Sequence, residues 1–140
     1  MAHDELKEVS GTILDYMEET IEPLQKRIND LNSIHDFIKF DEALMKQYGS
    51  SIGERFGIVN VYTKTIDLIT LHLDDVIEGK YDEYPAPAIG SLVFYWDKEV
   101  YSAFMEIETA VAELESYMQY FREYDIGDEV EIASQKPTVH

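Results

Sequence analysis

The stretch VYSAFMEIETAVAELESYMQYF, residues 100–121, decides the fold. Its apolar residues recur at alternating steps of four and three, which places them on one face of an α-helix. These residues are Val100, Phe104, Ile107, Val111, Leu114, Met118 and Phe121. Because Pro85 and Pro87 interrupt the chain shortly before it, we expect this last helix to run from about Ser91 to Tyr124.

The same spacing continues toward the N-terminus. It predicts a first helix over about residues 4–33, with a kink or break near Glu22 because Pro23 lacks a backbone N–H. A shorter series over residues 36–48 predicts a short connecting helix, which we expect to end at a turn formed by Gly49-Ser50-Ser51.

Residues 52–79 again keep the helical step and end at Gly79, a typical helix C-cap. Residues 58–73 are rich in β-branched side chains, so a strand is the alternative there. Apolar residues also fall off the main seam of this segment, at Ile58, Val61, Leu68 and Leu71. We therefore expect this helix to be the most buried one or to carry an oligomer interface.

Together these segments predict an all-α protein. The expected architecture is an elongated antiparallel bundle of three long helices plus a short connecting helix. The chain of 140 residues has the size of one domain, which we assign to residues 1–124. Residues 125–140 are mostly polar and contain Gly127 and Pro137, so they are predicted to form a flexible, disordered acidic tail.

The chain is strongly acidic, with 29 Asp and Glu against 11 Lys and Arg and a net charge of −18. This charge opposes direct binding to nucleic acid or to an anionic membrane surface. The expected partner is instead a basic protein surface. An acidic surface that serves solubility or adaptation to high salt is the alternative.

The composition also bears on the cellular compartment. The chain has no cysteine, which excludes disulfides and thiolate chemistry. Its N-terminus lacks the pattern of a signal peptide, and no apolar stretch approaches the length of about 20 residues that spans a bilayer. We expect a cytoplasmic protein.

Candidate metal and catalytic motifs are few. His72 with Asp75 and His35 with Asp36 are the nearest approach to a helical metal site. The pairs Glu19-x-x-Glu22 and Asp75-x-x-Glu78 have the spacing of magnesium ligands, but an acid-rich chain produces such spacings by chance. We expect no catalytic, cofactor or metal site, and a magnesium-dependent nucleotide pyrophosphohydrolase is the third alternative for function.

The last helix carries the predicted partner-binding residues. Between Asp97 and Phe121 its only base is Lys98, so its acids lack the stabilising pairs that isolated helices use. A helical wheel places Glu99, Glu106 and Glu113 in one row, which Tyr120 continues, and Glu108 and Glu115 in a second row. These acidic rows lie beside an edge of Tyr and Trp side chains. The predicted binding residues are Glu99, Glu106, Glu108, Glu113, Glu115, Tyr117, Tyr120 and Tyr124. The alternative is that the row of Trp96, Tyr117 and Tyr124 is the margin of the core.

These features predict a non-enzymatic protein that binds a basic protein surface. The most concrete version is an inhibitor or immunity-type protein, or a nucleic-acid mimic, that occupies the nucleic-acid-binding groove of an enzyme. One row of acids repeats only about every 10.5 Å along a helix, so mimicry needs rows from two or more helices. The alternative is a structural or adaptor bundle that self-associates, as a homodimer, through its third helical segment.

Overall fold

The computed structural model describes residues 2–34 and 42–135, with side chains described as far as Glu123. It contains three α-helices and one short 3₁₀ turn: α1 (His3–Asp30), the turn (Leu31–Ser33), α2 (Glu42–Ile77) and α3 (Ala86–Gln135). These described ranges contain no strand, which confirms the all-helical prediction for them. None of the described helices has the length and apolar character needed to cross a membrane.

Each of the three helices packs against the other two. Tyr48, near the start of α2, contacts Tyr117 on α3 with ring centroids 5.6 Å apart. His72, near the end of α2, stacks on Trp96 at 4.8 Å. Because the end of α2 meets the beginning of α3, these two helices are antiparallel, as the sequence predicts.

Helix α1 runs parallel to α3. Tyr16 meets Phe104 at a centroid distance of 6.0 Å, and further along both helices Arg27 meets Glu115. Helix α1 passes through Pro23 without ending, so the predicted break is not observed. Proline removes one helical hydrogen bond, and the apolar seam on both sides of Pro23 stays packed in the core.

The predicted turn at residues 49–51 is wrong, because α2 continues through it without interruption. Glycine and serine inside a helix each cost about 1 kcal/mol or less. The burial of Ile52 and the packing of Tyr48 against the core offset this cost. Residues 42–48 of the predicted connecting helix are therefore the first turns of α2, and its residues 36–41 lie outside the described part of the chain.

Residues 58–73 are helical throughout, so the strand alternative is wrong. The off-seam residues Val61, Leu68 and Leu71 are each more than half exposed, with relative exposures of 60%, 55% and 61%. They do not make α2 the most buried helix. An oligomer interface on this face stays a prediction.

Helix α2 ends in a glycine cap, as predicted. Gly79 has a φ of +83°, a left-handed conformation that only glycine adopts without strain. Its N–H donates to the carbonyl of Val76 at 3.1 Å, and the N–H of Lys80 donates to the carbonyl of Asp75 at 3.0 Å. This pair of hydrogen bonds is the Schellman motif, which satisfies the last carbonyls of the helix.

Helix α3 begins at Ala86, earlier than the predicted start near Ser91. The two prolines do not prevent this, because the first N–H groups of a helix have no partner within it. Pro87 occupies one of these first positions. The carbonyl of Pro85 accepts a hydrogen bond from the N–H of Ile89 at 3.2 Å and so closes the first turn.

The end of α3 also differs from the prediction. The helix backbone passes Tyr124 and reaches Gln135. Gly127 alone does not stop a helix, and no proline occurs between Pro87 and Pro137. The predicted flexibility of the acidic tail stays a prediction, and residues 136–140 lie outside the described range.

The three apolar seams form one core. The predicted members Leu24, Ile66, Ile69, Phe104, Ile107, Val111 and Leu114 are all buried in it, and Ile28 and Phe56 pack against it partly buried. This core fixes which side of α3 faces inward. It thereby leaves two outer edges, one beside α1 and one beside α2.

Candidate functional site

The two acidic rows of α3 lie on different edges. Glu108 and Glu115 lie beside α1, because both contact Arg27. The row of Glu99, Glu106 and Glu113 lies beside α2, since Glu113 contacts Arg55. The predicted site is therefore divided between two surfaces.

Arg27 binds both acids of the α1 edge. Its Nη1 donates to Oε2 of Glu108 at 2.7 Å, while its Nε and Nη2 donate to the two carboxylate oxygens of Glu115 at 3.0 and 2.6 Å. Hydrogen bonds to Glu115 and Glu108 raise the pKa of Arg27, and the contact with Arg27 lowers the pKa of Glu115. These acids are thus compensated from another helix. The sequence could not show it, because the partners lie 81 and 88 residues apart.

On the α2 edge, Glu113 is also paired. Its Oε2 accepts a hydrogen bond from Nε of Arg55. Arg55 is fixed in turn by a hydrogen bond from Nη1 to the carbonyl of Ser51 at 2.9 Å, and its guanidinium carbon lies 5.6 Å from the ring centroid of Tyr117. The hydrogen bond to Glu113 raises the pKa of Arg55.

Glu99 and Glu106 are different. Neither makes an ion pair with any described residue. Glu106 is exposed and Glu99 is half-buried. Glu106 shares a shallow cleft of about 210 Å³ with Glu54 of α2, which also lacks an ion pair in the described ranges. Of the two acidic rows of α3, only the row on the α2 edge therefore contains carboxylates without an ion pair to a described residue.

Tyrosines extend this edge toward the end of the bundle. Tyr48 of α2 packs against Tyr117 at 5.6 Å, Tyr120 at 5.9 Å and Phe121 at 5.5 Å. A hydrogen bond with Tyr120, aided by burial, raises the pKa of Tyr48. Tyr120 is 47% exposed although its ring lies in this cluster. The prediction that Tyr120 is poorly explained by core packing agrees with that exposure.

A cleft of about 390 Å³ opens at this cluster and is lined by Tyr48, Glu113, Ser116, Tyr117 and Tyr120. The sequence does not identify Tyr48 as a member of this edge, because its local pattern predicts a separate connecting helix there. Its place seven residues before Arg55 on one continuous helix is the signal that would have placed it on the same edge. The side chain of Tyr124 lies outside the described residues.

The row of α3 that begins with Trp96 and continues to Tyr117 and Tyr124 starts inside the core. Trp96 is buried and stacks on His72, with ring planes 3° apart. Ala103 and Ala110, the next residues of the row, are buried as well, and Tyr117 is half-buried. The core-margin interpretation therefore describes this row from Trp96 to Ala110.

The predicted metal-like motifs make other contacts. His72 is stacked on Trp96, and Asp75 accepts a hydrogen bond from Lys80 at 3.0 Å. Within residues 2–34 and 42–135, no group of three or more His, Asp or Glu side chains is placed to hold a metal ion. His35 and Asp36 lie outside these residues.

A further exposed surface was not identified from the sequence. Tyr16, Tyr101 and Met105 are exposed and line a cleft of about 400 Å³ between α1 and α3, next to Arg27. Its aromatic members sit on the same edge as the compensated acids. It lacks the free carboxylates of the α2 edge.

In comparisons of this chain with known proteins, no protein-family model, no curated protein and no solved structure matches it at a significant level.

Proposed function

We propose that this protein is a non-enzymatic binding protein that recognises a basic surface of another protein through the edge between α2 and α3. We define this α2–α3 edge by seven residues: Tyr48, Glu54, Glu99, Glu106, Glu113, Tyr117 and Tyr120. The cytoplasm is the compartment we propose for it, since a chain without cysteine needs no oxidising environment.

The observation that supports this proposal is that carboxylates without an ion pair and partly exposed tyrosines lie together on the α2–α3 edge. Glu54, Glu99 and Glu106 make no ion pair in the described part of the chain. In a chain with a net charge of −18, such carboxylates attract and orient a cationic partner. Tyrosines are among the residues that most often anchor protein interfaces.

The more specific proposal is an inhibitor or immunity-type protein that occupies the nucleic-acid-binding groove of an enzyme. Successive acids of the row Glu99, Glu106 and Glu113 are separated by seven residues, or about 10.5 Å along α3. Glu54 adds a carboxylate from α2 beside this row. Acids from two helices are what a mimic of a phosphate backbone needs.

Retention on affinity columns tests the proposal. Three proteins are immobilised on separate columns. They are the parent, the double variant Glu99→Lys, Glu106→Lys and the double variant Glu19→Lys, Glu22→Lys. An extract of the source cells is applied and eluted with a salt gradient. Both variants change the net charge by the same amount, from −18 to −14 because each substitution adds two charges. Glu19 and Glu22 are exposed residues of α1, which makes the second variant a matched control.

We expect a basic protein to be retained by the parent and by the α1 control, and to be lost or eluted at much lower salt from the Glu99/Glu106 variant. Equal elution from both variant columns would mean that bulk charge alone holds the retained proteins. The α2–α3 edge would then have no special role.

The second candidate function is self-association through the outer face of α2, favoured by its exposed Val61, Leu68 and Leu71. Gly53 and Gly57 lie on the same face, within about 80° of these residues on a helical wheel. A Cβ added at either glycine would meet no atom within 4 Å, so packing inside the molecule does not explain them. Such a face accommodates a close second helix.

Light scattering coupled to size-exclusion chromatography tests this candidate. A dimer of the parent that becomes a monomer in Leu68→Glu, but not in the Leu92→Glu control on α3, would support it. A parent protein that stays monomeric at about millimolar concentration, the weak end of specific association, would exclude it.

A further inference from the structure

The cleft of about 390 Å³ on the α2–α3 edge, which we call the tyrosine cleft, arranges its polar and aromatic side chains in a way that suits one kind of ligand. Four of its five lining residues, Glu113, Ser116, Tyr117 and Tyr120, come from one face of α3. Glu113 and Tyr120 lie about 10.5 Å apart along the helix axis. The cleft therefore has a carboxylate at one end and an aromatic ring at the other.

Two residues that line the cleft, Glu113 and Tyr117, already contact one guanidinium, that of Arg55. This group donates to Oε2 of Glu113 and lies 5.6 Å from the centroid of Tyr117. Arg55 is itself tied back to the carbonyl of Ser51. The carboxylate and the ring thus form a combination that fits arginine, which binds carboxylates with its planar fork and stacks on aromatic rings.

Arg55 does not use the whole cleft. The second carboxylate oxygen of Glu113, Oε1, accepts no hydrogen bond from any described residue, and the Glu113 side chain is 44% exposed. Tyr117 is covered by Arg55 and by a stacked contact with Phe121. Tyr120 contacts Tyr48 and Phe121, with ring centroids 5.9 and 5.7 Å away, but it is still 47% exposed. A free acceptor and a partly exposed aromatic ring therefore remain along the same side of α3.

We propose that this cleft binds an arginine side chain of the basic partner, and we call it the arginine seat. The aliphatic stem lies along Tyr120, as the stems of long cationic side chains do on apolar surfaces. The guanidinium donates to Oε1 of Glu113 beside Arg55. This inference rests on the proposed function and names the side chain that the α2–α3 edge recognises.

The neighbouring cleft places a second cation. It shares Glu113 with the tyrosine cleft and is also lined by Arg55 and by the unpaired acids Glu54 and Glu106. The spacing of about 10.5 Å between Glu106 and Glu113 matches residues i and i+3 of an extended segment, at about 3.3 Å per residue. The partner segment therefore carries two basic residues separated by two others, with arginine at the tyrosine end.

Nuclear magnetic resonance titration tests the seat with a defined probe. A capped Arg-Gly-Gly-Arg peptide is added to ¹⁵N-labelled protein at fixed ionic strength. Capped Lys-Gly-Gly-Lys and tetramethylammonium chloride are titrated separately as comparison ligands. We expect saturable shifts of the amides of residues 113–120 and of the Tyr120 ring. The arginine peptide should bind at least about three-fold more tightly than the lysine peptide, because lysine lacks the planar fork.

Variants of Tyr120 sharpen the test. Tyr120→Leu should weaken the arginine peptide about three-fold through loss of the aromatic ring, whereas Tyr120→Phe should keep the affinity. Tyr101→Leu, an exposed tyrosine on the α1 side of α3, should change nothing. Thermal unfolding followed by circular dichroism checks that all three variants fold.

Three results would overturn the inference: shifts spread evenly over all acidic helices, an unchanged affinity in Tyr120→Leu, or lysine or tetramethylammonium binding as tightly as arginine. If one of these is found while column retention still depends on Glu99 and Glu106, the proposed function stands without an arginine seat. If the peptide binds as expected but the two column variants behave alike, the seat stands and the proposed function fails.

Discussion

Arg27 and Glu115 are joined by two parallel hydrogen bonds, from Nε at 3.0 Å and from Nη2 at 2.6 Å. The same guanidinium also binds Glu108. This geometry connects α1 to α3 and gives the acids beside α1 a structural role. The search for a binding surface therefore moves to the α2–α3 edge, where Glu99 and Glu106 have no such partner among the described residues.

The contact makes stability depend on pH. Arg27 lowers the pKa of Glu115 in the folded protein, so the unfolded chain binds this proton more tightly. The stabilisation is complete above the unfolded pKa, about 4.3 for glutamate, and is lost as the pH falls through the folded value. Urea unfolding should find Glu115→Gln less stable than the parent at pH 7.

The difference between parent and Glu115→Gln should narrow below a pH of about 4.3. Glu106→Gln is the control: Glu106 is exposed and makes no ion pair with a described residue, so its substitution should change stability little at any pH. A Glu115→Gln difference that stays constant down to pH 3 would show that the contact with Arg27 contributes nothing.

The core makes a larger prediction. Ile107 and Leu114 are both 0% exposed. Truncating either to alanine should lower the free energy of unfolding by about 2–5 kcal/mol, through lost burial and the cavity left behind. Met105→Ala, on the exposed side of the same helix, should change it by less than about 0.5 kcal/mol. Losses below about 1 kcal/mol at both core positions would mean that α3 faces the other way.

Replacing glycine by alanine should have opposite effects on the free energy of unfolding at Gly79 and at Gly53. Gly79 has a φ of +83°, and a Cβ there would lie 2.9 Å from Oδ2 of Asp82. Gly79→Ala should therefore destabilise the protein by about 1–2 kcal/mol. Gly53 lies inside a helix with open space around it, so Gly53→Ala should stabilise by roughly 0.5–1 kcal/mol. Chemical unfolding curves of both variants test this pair, and shifts of the same sign would contradict it.

The sequence predicts the seams well, because helical spacing is a local property. Thus the burial of Ile107 and Val111 and the cap at Gly79 could be read from it. It predicts helix ends less well. Gly49-Ser50-Ser51 resembles a turn locally, but burial of the flanking Ile52 carries α2 through it.

For the candidate site as well, the sequence predicts the local features but not the contacts between helices. Periodicity correctly groups Glu99, Glu106 and Glu113 on one face of α3, since the wheel of a helix is a local property as well. It cannot show that Arg27 and Arg55 come from other helices to bind Glu115 and Glu113. Those contacts depend on how the three helices pack. The compensated and uncompensated acids therefore look alike in the sequence.

In the proposed function, the acids of the α2–α3 edge steer a basic partner toward it. The residues chosen to test this are Glu99 and Glu106, because Glu113→Lys would place a lysine against Arg55 and disturb the fold. Neither Glu99 nor Glu106 has an ion pair to lose among the described residues. Their reversal should leave stability nearly unchanged.

The most direct test is the association rate constant of the partner retained on the columns, measured by surface plasmon resonance over a range of salt concentrations. For the Glu99→Lys, Glu106→Lys variant we expect a rate at least about ten-fold slower at low salt and a weaker salt dependence, with little change in dissociation. The Glu19→Lys, Glu22→Lys control should stay close to the parent. Equal association rates for the two variants, at every salt concentration, would contradict the account.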